Sequence, residues 1–290
     1  MPELYKEFIW ETAGSYKVAN LIDNDIGCDK RQYITDALPL DSRRLRNKQY
    51  CPLLDQTGLF RTFAFTETKP ESIVKFANRF GPLGCCEENV YLDCCTAGVL
   101  TCGEPFEVWE REIDKMSWCV NLWDKTKTKD TDGIELLLGL SALRDISSYP
   151  ACDPIPNQPF FTYSQRAFST IEQQRVAACH IDNLFPKDSI RKALAWLEYE
   201  ISKRMNTNII STVFLSNSER TNVNLYMRPS NLLGAMWLQL AESISTGKNY
   251  QKCNTCDNWF EFGTETHRKT RLYCSDACRK LAYKRRSLHD

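Results

Sequence analysis

The chain has 290 residues, and its 42% hydrophobic, 11% aromatic and 26% charged content is typical of a globular protein with one or two domains, not a fibrous or disordered one. Its 37 Lys and Arg balance 37 Asp and Glu, but residues 248–290 contain ten basic and five acidic side chains, so the rest of the chain is net acidic. The sequence has no run of about 20 apolar residues and no apolar leader, which excludes a transmembrane helix and a secretory signal and predicts a cytoplasmic protein.

The first half of the chain predicts one strand followed by three helices. Residues 59–66 partly alternate between apolar and polar side chains and are rich in strand formers, which predicts a strand. A proline in the first turn and a glycine after the last apolar position delimit a helix over about residues 70–80. A second helix is expected from about Pro105, and a third begins near Ile134, after a break at residues 130–133.

Three charged residues around the predicted strand raise the possibility of an enzyme. Asp55 and Glu67, with Lys69 next to the second, have the order of the acidic pair and lysine of restriction-type nucleases, in which carboxylates hold Mg²⁺ and the lysine steadies the phosphate. Ordinary surface charges before a helix are the default interpretation. A metal-dependent nuclease is therefore kept as an alternative function.

Five of the fourteen cysteines crowd one short segment. They are Cys85, Cys86, Cys94, Cys95 and Cys102. Adjacent cysteines do not easily bind one ion in tetrahedral geometry, and no Cys-x-x-Cys occurs there, so we interpret the segment as a loop with reduced thiols. A second metal or redox site is the alternative.

The second half of the chain predicts a linker, two helices and a hairpin. Four prolines lie within residues 147–160, which indicates an internal linker and a sub-boundary of the body. A capped helix follows from residues 187–189, and two apolar runs on either side of residues 216–222 predict a hairpin. A strongly apolar helix then ends at Gly247.

The C-terminal segment contains two properly spaced pairs of cysteines. The candidate ligands are Cys253, Cys256, Cys274 and Cys278. The first pair fits one tight turn, and the second pair fits one face of a first helical turn, so together they complete a tetrahedral shell for one structural Zn²⁺. His267, between the pairs, could replace one thiolate, and four unrelated buried thiols are the remaining alternative.

Basic residues surround the second cysteine pair and continue along the predicted final helix. The candidate nucleic-acid contacts are Arg268, Lys269, Arg271, Arg279, Lys280, Tyr283, Lys284, Arg285 and Arg286. A short basic helix that includes an aromatic side chain suits phosphate contact and groove entry. On that helix, Leu281 and Ala282 are expected to face the core of the finger with Cys278. A solvated helix end and a protein-binding adaptor are the alternatives.

The same segment resembles a known family. The helix PSNLLGAMWLQLAESIS, followed by CNTCDNWFEF and RLYCSDACRKLAYKRR, resembles bacterial proteins in which an ABATE domain precedes a CGNR-type zinc finger. The resemblance implies a transcriptional regulator whose four cysteines bind the metal and whose basic tail begins at Arg279. The Cys-Gly-Asn-Arg signature is absent, because Cys278 is followed by Arg-Lys-Leu, and the match covers about the last sixty residues well and the body only in outline.

The sequence as a whole predicts an α+β protein with a mostly helical body over residues 1–247 and a small treble-clef-like zinc finger over residues 248–290. We expect a DNA-binding regulator whose body acts as a sensor or an oligomerisation module. A protein partner or a homodimer is the alternative assembly, and no membrane partner is expected.

Overall fold

The computed structural model describes residues 8–12, 15–20, 31–36, 48–85, 87–90, 101–148, 188–215, 223–263 and 270–286. The chain forms two compact units, Met1–Ser117 with Ile201–Asp290, and Trp118–Glu200. The four candidate metal ligands belong to the first unit. No helix in the described part of the chain is long and apolar enough to cross a lipid bilayer.

The described residues form short strands and longer helices. The strands are β1 (Trp10–Thr12), β2 (Tyr16–Asn20), β3 (Gln32–Asp36), β4 (Lys48–Tyr50), β5 (Glu87–Val90), β6 (Thr101–Pro105), β7 (Ile209–Leu215), β8 (Val223–Pro229), β9 (Asn249–Lys252) and β10 (Trp259–Phe262). The helices are α1 (Pro52–Asp55), α2 (Leu59–Ala64), α3 (Pro70–Phe80), α4 (Phe106–Thr128), α5 (Thr131–Ser148), α6 (Ser189–Asn208), α7 (Leu232–Thr246) and α8 (Asp276–Arg286). The fold is therefore mixed, as predicted.

Every strand pairing in the described residues is antiparallel. Four strands form one sheet in the order β2-β3-β6-β5, and the pairs β1-β4, β7-β8 and β9-β10 form three two-stranded sheets. The hairpin predicted around residues 216–222 is the β7-β8 pair, in which Leu215 lies opposite Val223. Antiparallel neighbours need only short connections, which suits strands of three to seven residues.

The strand predicted over residues 59–66 is wrong, because this segment forms the helix α2. Phe60 and Phe63 are completely buried, and Leu59 is 2% exposed, so the apolar residues cover one helical face. Burial on this face overrides the strand propensity of the aromatic side chains. Helix content in the first half is accordingly higher than the sequence predicts.

The helices predicted from capping signals are confirmed. Helix α3 begins at Pro70 and ends before Gly81, which has φ +93° and donates its backbone N–H to the Ala77 carbonyl at 2.7 Å. Helix α7 begins after Asn231, whose side chain accepts a hydrogen bond from the Gly234 amide at 2.7 Å, and ends at Gly247 in the left-handed conformation.

The core of the first unit contains a cluster of aromatic rings from α2, α3 and α4. The Phe63 ring centroid lies 5.3 Å from that of Phe76 and 6.2 Å from that of Trp109, and Phe76 lies 4.8 Å from Phe80. These spacings fit the tilted and edge-on pairs that aromatic rings prefer. The cluster fixes α2, and thus the surface on which the finger rests.

Helix α7 is buried at every position from Leu232 to Leu240, including the polar Gln239. The Gln239 side chain donates to the carbonyls of Pro52 and Gln56 at 2.9 and 2.8 Å and accepts from the Phe60 amide at 3.2 Å. One buried amide therefore satisfies the backbone at the end of α1 and the start of α2. It ties both helices to α7.

A second buried polar side chain holds the segment that follows α3. The Glu104 carboxylate, 1% exposed on β6, accepts hydrogen bonds from the amides of Leu83, Gly84 and Cys85 at 2.9, 2.6 and 2.8 Å. Three consecutive amides satisfy the buried carboxylate. Cys85, the first of the five crowded cysteines, is positioned by this contact.

The second unit contains the C-terminal part of α4, the helix α5 and the N-terminal part of α6. The Trp118 indole donates to the Leu137 carbonyl at 3.3 Å and meets the Trp196 ring edge-on at 6.3 Å. The Ser189 hydroxyl donates to Glu135 at 2.6 Å. Of the predicted linker, residues 149–160 lie outside the described residues.

Candidate metal centre

The first cysteine pair lies in the turn that joins β9 and β10. In this hairpin Trp259 lies opposite Lys252, so the intervening residues must reverse the chain. Asp257 does so with a φ of +57°, and its amide donates to the Cys253 carbonyl at 3.1 Å, while the Cys253 amide donates to Asn258 at 2.8 Å. This tight turn brings the Cys253 and Cys256 sulfurs to one side.

The second pair lies at the start of α8, as its spacing predicts. The Ser275 hydroxyl oxygen accepts a hydrogen bond from the Cys278 amide at 3.2 Å, which caps the first turn. The Cys274 amide points at the Cys253 sulfur at 3.3 Å and joins the two halves of the site.

The four sulfurs form one cluster that fits a tetrahedral metal ion. The Cys274 Sγ lies 3.5 Å from the Sγ of Cys256 and 3.5 Å from that of Cys278, and all four sulfurs lie within 4.8 Å of one another. A Zn–S distance of about 2.3 Å requires a separation of roughly 3.8 Å between sulfurs at the corners of a tetrahedron. The donor set and its size therefore suit a structural metal ion with no open coordination position.

The environment of the sulfurs differs from one cysteine to the next. Burial opposes ionisation of the Cys253 thiol, but hydrogen bonds from the amides of Cys274, Thr255 and Cys256 outweigh it and lower its pKa to about 7. Burial and the three neighbouring sulfurs raise the pKa of Cys274. Amide dipoles thus favour the Cys253 thiolate, whereas a cation would favour ionisation of Cys274.

Arg271, a predicted nucleic-acid contact, is instead directed into the finger. Its Nε donates to the Tyr273 carbonyl at 2.8 Å and its Nη2 to the Cys274 carbonyl, while its guanidinium lies 5.1 Å from the Phe260 ring centroid. The Gln251 side chain donates to the Arg271 carbonyl in return. These contacts brace the segment that carries Cys274, so Arg271 supports the metal site.

Helix α8 contains no buried residue. Its contact with the hairpin lies in the first turn, where the Thr255 hydroxyl donates to the Cys278 carbonyl at 3.0 Å. The expectation that Leu281 faces the core is wrong, because this side chain is 43% exposed. Ala282, also expected to face the core, is half-buried.

The other predicted contact residues on α8 are all exposed. They are Arg279, Lys280, Tyr283, Lys284, Arg285 and Arg286. Tyr283 is 61% exposed, the most of the large apolar side chains on this helix. Arg279 pairs with Asp276 at 3.1 Å, but both side chains are more than half exposed, so this ion pair contributes little. Arg268, Lys269 and His267 lie outside the described residues.

The finger hairpin packs on α2 through an enclosed arginine that sequence patterns did not identify. The Arg61 side chain is 5% exposed, and its guanidinium carbon lies 5.6 Å from the ring of Phe60, 5.4 Å from that of Tyr250 and 5.2 Å from that of Trp259. Phe65 stacks on Trp259 with centroids 5.5 Å apart. Cations within about 6 Å of aromatic faces are attracted to them, so α2 and the hairpin are held together.

An ion pair and a close backbone approach complete this contact. The Lys248 ammonium lies 2.8 Å from a Glu242 oxygen on α7 and 3.3 Å from a Glu261 oxygen on β10. Gly58, just before α2, lies so close to the Trp259 carbonyl that a Cβ atom would collide with it. The first cysteine pair is thus attached to the rest of its unit.

The three residues considered for a nuclease site make contacts of other kinds. A carboxylate oxygen of Asp55 accepts the Cys51 amide at 2.8 Å, and Glu67 and Lys69 form an exposed ion pair at 2.9 Å. The helix α2, not a strand, separates them.

Among the crowded cysteines, burial raises the pKa of Cys85 to about 12. The side chains of Cys86, Cys94, Cys95 and Cys102 lie outside the described residues.

Comparison with protein-family models, curated proteins and solved structures found no significant match.

Proposed function

We propose that this protein binds nucleic acid through a zinc finger whose basic helix α8 contacts phosphates, and that it acts as a bacterial DNA-binding regulator. The observation that carries the proposal is the exposure of all five cations of this helix beside the cysteine cluster. Phosphate oxygens are the partners that such a row of Lys and Arg recognises. The resemblance to CGNR-type fingers supports the same function.

We assign the metal ion as one Zn²⁺ in a treble-clef-like finger. Thiolate ligands in a closed tetrahedral shell favour Zn²⁺, and such sites stabilise folds instead of carrying out catalysis. The ion would supply the link between the hairpin and α8, since the described contacts of α8 with the hairpin are few. Cys253, Cys256, Cys274 and Cys278 hold it.

The distribution of charge supports nucleic-acid contact by the finger and not by the body. Residues 248–290 carry a net positive charge, whereas residues 1–247 are net acidic. An acidic surface repels a polyanion, so the finger would lead the encounter. We propose that the body serves as the sensor or oligomerisation module.

A protein-binding adaptor is the second candidate. Leu272 and Leu281 are 51% and 43% exposed beside the basic residues of α8. Exposed leucines suit a protein surface better than a phosphate backbone. The two functions differ in their response to salt, because only phosphate contact releases condensed counterions.

The test measures the salt dependence of binding to a duplex DNA by the full-length, zinc-loaded protein. Replacing Arg279, Lys284 and Arg286 by Ala should weaken binding nearly equally on all sequences. It should also flatten the slope of log K against log salt by about 0.9 for each lost contact.

The matched control replaces Lys75, Arg191 and Arg228 by Ala. These cations are exposed and lie on α3, α6 and β8, so the change in net charge is the same but falls on elements other than α8. The control should keep the wild-type slope. An unchanged slope in the α8 variant would overturn the proposal and favour the adaptor.

A further inference from the structure

We infer that α8 is a recognition helix for duplex B-form DNA, which lies in the major groove with Tyr283 and Lys280 toward the base edges. This inference rests on the proposed nucleic-acid binding and names its substrate class and its reading residues. It is carried by the placement of side chains around a helix that has no buried residue and that is hydrogen-bonded to the hairpin through Cys278, in its first turn.

The arrangement around the helix axis places one central row opposite the metal site. Successive residues of an α-helix are rotated by about 100°, so Tyr283 and Lys280 lie roughly 140° and 160° from Cys278, on opposite sides. Cys278 faces the sulfur cluster. The two exposed side chains therefore lie on the side of the helix directed away from the sulfur cluster.

Cations flank this central row on both sides. Arg279 and Arg286 lie roughly 100° and 80° from Cys278 in one direction, and Lys284 lies roughly 120° away in the other. A helix in a groove is bordered by a phosphate backbone on each side. The pattern of a central tyrosine and lysine between outer cations matches this geometry, whereas a random solvated helix needs no such order.

The dimensions of α8 also favour duplex DNA over other nucleic acids. Its eleven residues form about three turns, and a helix of about 10–12 Å in diameter fits the B-form major groove, which is about 12 Å wide. The major groove of A-form RNA is too narrow for a helix. Single strands are bound by several aromatic side chains that stack successive bases, and α8 has Tyr283 alone.

The central residues supply groups that distinguish bases. A lysine ammonium donates to O6 and N7 of guanine, which face the major groove, and a tyrosine hydroxyl both donates and accepts. The acidic member of α8, Asp276, is held by Arg279 at 3.1 Å at the start of the helix. Because Lys280 would donate to O6 and N7 of guanine, the preferred DNA site should contain guanine.

The experiment begins with selection from a randomised duplex DNA library by the full-length, zinc-loaded protein. Binding is then compared among the selected duplex, its separate strands and an RNA duplex of the same sequence. We expect the DNA duplex to bind at least tenfold more tightly than the RNA duplex. Methylation of guanine N7, in the major groove, should block binding, whereas methylation of adenine N3, in the minor groove, should not.

Variants separate reading from phosphate contact. Tyr283→Ala should lower affinity for the selected duplex by roughly 5- to 150-fold and leave binding to unselected DNA within about twofold. Arg286→Ala should weaken both equally. Leu281→Ala, on the side of the helix nearer to Cys278, is the matched control and should keep the sequence preference.

The outcomes distinguish this inference from the proposed function. Equal binding to single strands or RNA, or an unchanged preference in both Tyr283→Ala and Tyr283→Phe with zinc content retained, would overturn the groove assignment alone. Binding to none of the three nucleic acids at low salt would overturn the proposed function as well. If methylation of adenine N3 blocks binding and methylation of guanine N7 does not, the helix lies in the minor groove and the inference is contradicted.

Discussion

At the residue scale, the four metal ligands are tied to different parts of the structure. Cys253 is 1% exposed and its sulfur accepts hydrogen bonds from three backbone amides, whereas Cys278 lies on a helix with no buried residue. Spacing alone predicted that these cysteines meet, because a Cys-x-x-Cys turn and a first helical turn leave few other arrangements. The inward direction of Arg271 was not predicted, since its partners depend on how the chain returns to the hairpin.

We predict that the purified protein contains one Zn²⁺ per chain. Cys253→Ser combined with Cys274→Ser should abolish metal binding, because two ligands cannot hold Zn²⁺ at the affinity of four. Elemental analysis of both proteins measures the result. Cys51→Ser is the control and should retain the metal. Absence of zinc from the wild type, or full occupancy in the double variant, would contradict the assignment.

A second prediction concerns the buried carboxylate on β6. Glu104→Gln replaces one of two acceptor oxygens with an amide donor that faces backbone N–H groups, so the free energy of unfolding should fall by about 1–3 kcal/mol. Denaturant titration measures the change. Glu107→Gln, at an exposed position nearby, should leave stability almost unchanged. Equal free energies of unfolding for the two variants would contradict the expected contribution of these hydrogen bonds to stability.

At the scale of the elements, capping signals predicted helices better than composition did. Pro70 with Gly81 and Asn231 with Gly247 delimit α3 and α7 because these residues satisfy or end the backbone hydrogen bonds locally. Helix α2 lacks a side-chain cap, and its aromatic residues favour strands when considered alone. Its contacts with α7 and the finger lie far away in sequence, so no local pattern could reveal them.

The close approach of α2 to the hairpin gives a third prediction. Gly58→Ala should destabilise the protein by about 1–3 kcal/mol, because the new Cβ must push the Trp259 backbone away. Thermal melts and Trp fluorescence would detect the change. Gly139→Ala is the matched control, since a Cβ there meets nothing within 4 Å and alanine favours a helix by about 0.5–1 kcal/mol. A Gly58 variant as stable as this control would mean that the hairpin does not rest on α2.

At the scale of the whole molecule, the domain boundary after Gly247 remains a prediction. The hairpin that follows it packs on α2 through Arg61 and Trp259, and both belong to the same compact unit. The sequence placed the boundary where apolar residues become sparse, but an aromatic interface needs few residues. Composition therefore locates the finger without revealing how it is attached.

We predict that a chain ending at Gly247 still folds. Most of its large apolar side chains remain, so a single cooperative melt should persist, but at a lower temperature because Phe60 and Arg61 lose the rings of the hairpin. Calorimetry of the two chains tests this. An insoluble product without a cooperative transition would show that body and finger share one core.

The unequal anchoring of the two cysteine pairs has a consequence for the order of events when zinc is scarce. The hairpin with Cys253 and Cys256 packs on α2, whereas α8 has no buried residue, so we expect its position to depend on the metal ion. An isolated helix of eleven residues is marginal in water, so chelation should release and unwind the C-terminal segment first while the hairpin stays docked. We therefore expect the zinc supply to control whether α8 is folded and in place, while the rest of its unit keeps its structure.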